Sequence, residues 1–180
     1  MKRIIFLLLL FFYFNQTHSQ ITKGNLLIGG SASFESTSYS GDDDNKTTIV
    51  QVMPNAGYFF MDKLAGGLRV SFAYKSNDGD YFRDLGIGPF ARYYFLPATK
   101  TTNLFLEGHF LYGSEKYKGF DAESKTRFGA AAGPAFFLNQ HIAIEAMLYW
   151  QSVKHAGDEG RYNTVGLAVG IQAHLFSKKK

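Results

Sequence analysis

The sequence predicts an all-β fold, an eight-stranded antiparallel up-and-down transmembrane β-barrel with short turns at one end and longer loops at the other. Three observations carry that expectation. Apolar residues fall at every second position in eight stretches of about 11 to 15 residues. The connections between stretches alternate between short and long. Aromatic side chains gather at both ends of the stretches, where the two interfaces of a membrane would lie. The chain has 18 Phe and 11 Tyr but one Trp, with a mean hydropathy slightly below neutral. Alternation reconciles those facts, because one face of each strand is apolar and the other polar.

The first 19 residues are set apart from this pattern. Lys2 and Arg3 precede an apolar run from Ile4 to Phe14, and Thr17-His18-Ser19 follows. This is the build of a secretory signal peptide, with cleavage after Ser19. The run is too short for a helical span, which takes about 20 apolar residues. The expected organisation is a signal peptide over 1–19 and one barrel domain over 20–180. The formal charge of +4 falls to +2 without Lys2 and Arg3, and the remaining bases are interspersed with acids except at Lys178 to Lys180. That excludes a nucleic-acid surface. An exported chain without cysteine must be ordered by a closed sheet or a bilayer rather than by disulfides.

Taken in order, the first segment, Asn25 to Glu35, turns Leu26, Ile28, Ala32 and Phe34 to one face. The second, Thr47 to Phe60, turns Val50, Val52, Ala56 and Tyr58. Leu64 to Lys75 is the clearest, with Leu64, Leu68, Val70, Phe72 and Tyr74 opposed to Ala65, Arg69, Ser71 and Lys75. Asp84 to Phe95 presents Leu85, Ile87, Ala91, Tyr93 and Phe95, and Asn103 to Gly113 presents Leu104, Leu106, Phe110 and Tyr112. Thr126 to Leu138 gives Phe128, Ala130, Ala132 and Phe136. Ile142 to Ser152 gives Ile142, Ile144, Ala146, Leu148 and Trp150. The last opposes Val165, Leu167, Val169, Ile171, Ala173 and Leu175 to Thr164, Gly166, Ala168, Gly170, Gln172 and His174.

Met61 to Lys63, Pro97 to Thr102 and Asn139 to His141 are the short turns. Ser36 to Lys46, Ser76 to Arg83, Ser114 to Lys125 and Val153 to Arg161 are the long loops. Pro54, Pro89 and Pro134 fall inside even-numbered strands, where bulges or irregular ladders are expected, since proline has no N–H to give.

In the segments Pro54 to Phe60, Gly88 to Phe95 and Gly133 to Leu138, in the opening Gly24 to Phe34 and in the closing Gly166 to Phe176, the chain resembles the small eight-stranded outer-membrane barrels of Gram-negative bacteria, the OmpA-like and OmpX-like group. The resemblance covers essentially the whole mature chain. It implies an outer-membrane location reached through the cleaved leader, a monomer, and outer-membrane lipid and lipopolysaccharide as surroundings. It also implies recognition by the barrel-assembly machinery through a late aromatic strand end, here Leu175 and Phe176. Ser177 to Lys180 follow that aromatic, a departure from the family's pattern.

An eight-stranded barrel leaves an interior that side chains can fill. Opposite the apolar faces stand Arg69, Arg92, Glu107 and Glu145, each about three to five residues from its short turn and so at similar height. Arg92 and Glu107 lie on neighbouring strands and are expected to pair, while Arg69 and Glu145 approach from opposite walls. Two bases and two acids make a consistent buried set, read as an ion network that closes the lumen. Exchange of those pairs would instead make a gate. His109 shares the parity of Glu107, but no nucleophile motif accompanies it, so it is read as a lumen hydrogen-bonder and the chain as no enzyme. No cofactor is expected, and no His pair has zinc-ligand spacing. Asp42-Asp43-Asp44-Asn45 lacks the ordered spacing of a calcium loop and reads as a solvated tip.

The expected function is therefore a structural or surface-interaction role in the outer membrane. The alternative is a narrow porin or conduit for small or apolar solutes. Less favoured are a lipid-modifying outer-membrane enzyme and a soluble periplasmic ligand-binding barrel, which would turn the apolar faces inward.

Overall fold

The computed structural model describes residues 21–38, 46–77, 80–117, 119 and 121–176. The expected leader, the Asp42 to Asn45 run and Lys178 to Lys180 lie outside the described residues. Eight strands follow one another: β1 Leu26–Ser38, β2 Lys46–Met61, β3 Leu64–Asn77, β4 Asp80–Tyr94, β5 Thr102–Tyr117, β6 Glu123–Phe137, β7 Ile142–His155 and β8 Tyr162–Leu175. Each pairs antiparallel with the next, and β1 with β8 closes the barrel.

Alternation decides which way each side chain points. The faces predicted to be apolar lie on the outside: Ile28, Val50, Leu68, Ile87, Leu106, Phe128, Leu148 and Leu167 are all exposed. The expected sets of aromatic residues lie on this outer face, with one exception. Tyr58, Phe60, Tyr93, Phe95, Phe136 and Phe176 ring the short-turn end, and Phe72, Tyr74, Tyr112 and Trp150 the other. Tyr162, expected with the second set, has the inward parity of β8, pairs with Val153 and meets the His155 ring at 5.4 Å at the mouth of the lumen. Beyond the second ring the outward positions turn polar, as at Arg83, Lys116, Lys154 and Asn163. The opposite parity is buried inside, where Leu27, Phe59, Phe90, Tyr94, Phe105 and Phe137 pack together towards the short-turn end. Ile21 joins them. Residues ahead of β1 fold under this end, with Gly24 N–H donating to Phe59 O (2.8 Å) and Lys63 N–H to Ile21 O (2.7 Å).

The strands run further than hydropathy predicts. The β3–β4 connection, expected over Ser76 to Arg83, spans only 78–79, shorter than the β4–β5 connection at 95–101. Length therefore does not separate the two ends of the barrel at that position. Alternation of apolar residues marks only the wall that faces apolar surroundings, whereas ladder bonding continues through polar pairs such as Ser76–Tyr81 and Asn77–Asp80.

The three strand prolines share one arrangement. Pro54 pairs with Gly30, Pro89 with Leu68 and Pro134 with Leu104, in ladders unbroken through them. On its other edge each strand skips. The β2–β3 ladder passes from Val52–Phe72 to Asn55–Arg69, β4–β5 from Ile87–Tyr112 to Phe90–His109, and β6–β7 from Ala132–Leu148 to Ala135–Glu145. The register is the same on both sides of every skip, so no residue is inserted and these are interrupted ladders rather than bulges. The β2–β3 register shifts instead near the turn, between Phe59 and Met61, where Lys63 adopts a φ of 66°.

One ladder is short. Pairing of β1 with β8 runs from Leu26–Leu175 to Ala32–Val169 and ends, although both strands continue towards the long-loop end.

Candidate functional site

The interior carries charge in two layers. In the layer nearer the short turns, β3 supplies Arg69, β4 Arg92, β5 Glu107 and β7 Glu145, all buried. The structure brings the four together. Glu107 Oε2 accepts from Arg69 Nη2 at 2.8 Å and from Arg92 Nε at 2.9 Å, while Arg69 Nη1 donates to Glu107 Oε1. Arg92 Nη1 donates to Glu145 Oε1 at 2.5 Å. The order is Arg69, Glu107, Arg92, Glu145, with signs alternating. Arg69 reaches across β4 to do this, passing its ladder partner Gly88, which has no side chain to block the way. A Cβ at Gly88 would also collide with the Phe110 carbonyl.

Aromatic faces complete the surroundings. The Arg92 guanidinium lies 4.3 Å from the centroid of Phe105, and that of Arg69 lies 5.2 Å from Phe90. Arg92 Nη1 also donates to the Tyr94 hydroxyl (3.2 Å), which sits 3.2 Å from His174 Nε2. Phe137 and His174 rings pack at 5.1 Å, and Phe59 and Tyr94 at 6.1 Å. Guanidinium over ring is favourable, more so where water is excluded. Taking four charges out of water is expensive, and alternation of sign with charge-assisted hydrogen bonds is what offsets it, although Arg69 Nε and Glu145 Oε2 have no hydrogen-bond partner among the described residues.

His109 is buried beside this layer, its Nδ1 3.4 Å from Arg69 Nη1 and its ring against Gly129. The structure thus sets it against the Arg69–Glu107 pair.

The second layer lies nearer the long loops, and sequence reasoning missed it. Lys125 Nζ donates to Asp84 Oδ2 (2.6 Å) and Glu115 Oε2 (2.7 Å). Arg127 pairs with Asp84 as well and donates from Nη1 to Ser71 Oγ at 2.6 Å. His155 stands at its upper edge, with Nε2 3.0 Å from Glu115 Oε1 and Nδ1 3.4 Å from Asp158 Oδ2. Glu115 and Lys125 belong to a stretch that hydropathy assigns to a loop, so their strand parity was not counted. Arg127 and Asp84 were legible: they share the lumen parity of Gly129 and Gly86.

Leu175 is the last residue of β8 and pairs with Leu26, and the exposed Phe176 ring meets His141 edge-on at 5.4 Å. These two lie on the outer rim, apart from the charged layers.

No protein-family model matches the sequence, and no curated protein matches it. Solved structures share its fold. Neisserial surface protein A aligns with a TM-score of 0.61 at 15% identity, over 84% of this chain and 97% of that one. The outer membrane protein OprG from Pseudomonas aeruginosa aligns with a TM-score of 0.53 at 11% identity, over 89% and 99%. Both are small eight-stranded barrels. At such identities the likeness is one of fold.

Proposed function

From a fold shared with small outer-membrane barrels, we propose that this chain is an integral outer-membrane protein with a structural or surface-presenting role, its lumen closed by the two ion layers. One observation carries the reading: the apolar residues form an exposed belt around the barrel while the charges lie inside. A soluble monomer rarely exposes apolar patches beyond a few hundred Å². A belt of outward Leu, Ile, Val and Phe bordered by two aromatic rings is what a bilayer requires.

The leader over 1–19 directs export and is removed. The short turns then lie in the periplasm and the long loops outside. Arg83 and Lys116, paired across β4 and β5 just beyond the outer aromatic ring, meet lipopolysaccharide phosphates there. Leu175 and Phe176 serve the assembly machinery, and the protein works as a monomer. The non-enzymatic reading rests on the sequence, which supplies no nucleophile motif to accompany His109.

Membrane fractionation with gel migration before and after boiling tests the location. The protein is expected with the outer-membrane fraction and to shift on heating; recovery in the soluble fraction would overturn the reading. Planar-bilayer recording tests the closed lumen, with near-zero conductance expected for the native protein. A steady open level in it, abolished by R92Q with E107Q, would replace the closed lumen with a narrow conduit.

A further inference from the structure

The wall is least complete at the β1–β8 seam. Beside the point where that ladder stops, at Ala32–Val169, lies a cavity of about 490 Å³, within the roughly 300–1,000 Å³ of small-molecule sites. Its lining comes from both faces of the wall. Phe34 and Leu167 belong to the outer belt, and Ala146 lies outward beside them, whereas Met147 and Ala168 point inward and are 5% and 6% exposed. The space is a groove in the outer face that lies across the seam. The outward alanines at 32 and 146 keep it open, and its floor is the last ladder pair.

Depth follows from the register. Leu148 pairs with Leu167 and Trp150 with Val165, so the wedge opens within the belt and rises to the outer aromatic ring. Above the floor, the seam-facing backbone edges of Ser33 to Ser38 and of Tyr162 to Ala168 have no ladder partner across the seam among the described residues. Such groups are costly in hydrocarbon but can meet a polar partner near the interface. The wedge is thus apolar at its floor and rich in hydrogen-bonding groups at its mouth.

We propose that this seam is a lateral binding site for a single-chain amphiphile of the fatty-acid kind. The acyl chain enters from surrounding lipid between β1 and β8, and the polar head stays at the long-loop end against the open strand edges. The proposal rests on the membrane reading, but a heat-modifiable barrel that binds no acyl chain would sink only this inference.

The chain's single tryptophan, Trp150, stands on the outer face of β7 beside the wedge. In protein refolded into phosphatidylcholine nanodiscs, mid-chain-brominated stearate should quench Trp150 saturably, and unlabelled stearate should relieve the quenching. Filling the wedge with A32F and A146F, both outward and in its lining, should weaken binding roughly tenfold or more, while A91F, outward on β4, should leave it unchanged. Brominated phosphatidylcholine should quench without saturation and equally in all variants. Quenching by stearate that never saturates, equal weakening by A91F, or competition by phosphatidylcholine as strong as by stearate would each overturn the site. The competition by unlabelled stearate needs no variant, so the test stands even if the filled wedge fails to fold.

Discussion

Glu107 stands between Arg69 and Arg92, and among the described residues its carboxylate is the only one that touches both. Replacing it by alanine strands two buried guanidiniums, so E107A should lose about 3–5 kcal/mol of unfolding free energy, measured by urea titration in detergent micelles. Removing the whole set behaves differently. R69M, R92M, E107L and E145L combined should be neutral or stabilising by about 1–4 kcal/mol, because apolar side chains of similar volume need no desolvation. A quadruple variant as unstable as E107A would mean that the alternating chain contributes net stability. These four residues were legible from parity and height alone, because strand period and rise are fixed by backbone geometry. Of their connectivity only the Arg92–Glu107 pair, on neighbouring strands, was legible: that Arg69 passes β4 to reach Glu107 depends on the missing side chain of Gly88, a three-dimensional accident of neighbours.

At the scale of elements, the ladder skips opposite the strand prolines border this site. Each ladder skip ends beside the inner charge layer, at Asn55–Arg69, Phe90–His109 and Ala135–Glu145. Gly88 and Gly133 precede two of those prolines, and a Cβ at either would strike the backbone of the next strand, at Phe110 O and Ala146 O. G88A or G133A should therefore destabilise by about 1–3 kcal/mol, as overpacking does, in the same urea titration. P54A should change stability by less than about 1 kcal/mol, since a restored donor and a looser unfolded chain oppose each other. The strands themselves were readable from alternation, but their outer ends were not. Polar pairs such as Ser114–Ser124 and Glu115–Glu123 extend a ladder without any hydropathy signature, which is also why the layer around Lys125 escaped notice.

For the molecule as a whole, two opposite faces of one alternating code do separate work, the outer one meeting apolar surroundings and the inner one holding charge. Orientation can be read directly, because the chain has no cysteine to give background. G160C, in the β7–β8 connection, should react with a membrane-impermeant maleimide in intact cells, and Q140C, in the β6–β7 turn, only after lysis; the reverse result would invert the barrel. The strands are 13 to 16 residues long, a climb of roughly 33–40 Å at about 2.5 Å per residue, against an apolar band of about 25 Å. In the outer-membrane placement proposed above, some 10 Å of hydrogen-bonded wall would therefore stand clear of the bilayer as a stiff plinth. Whatever met the protein from outside would then encounter ordered β-structure as well as loop, and a peptide grafted at its tips would be held out through the sugar layer instead of lying down within it.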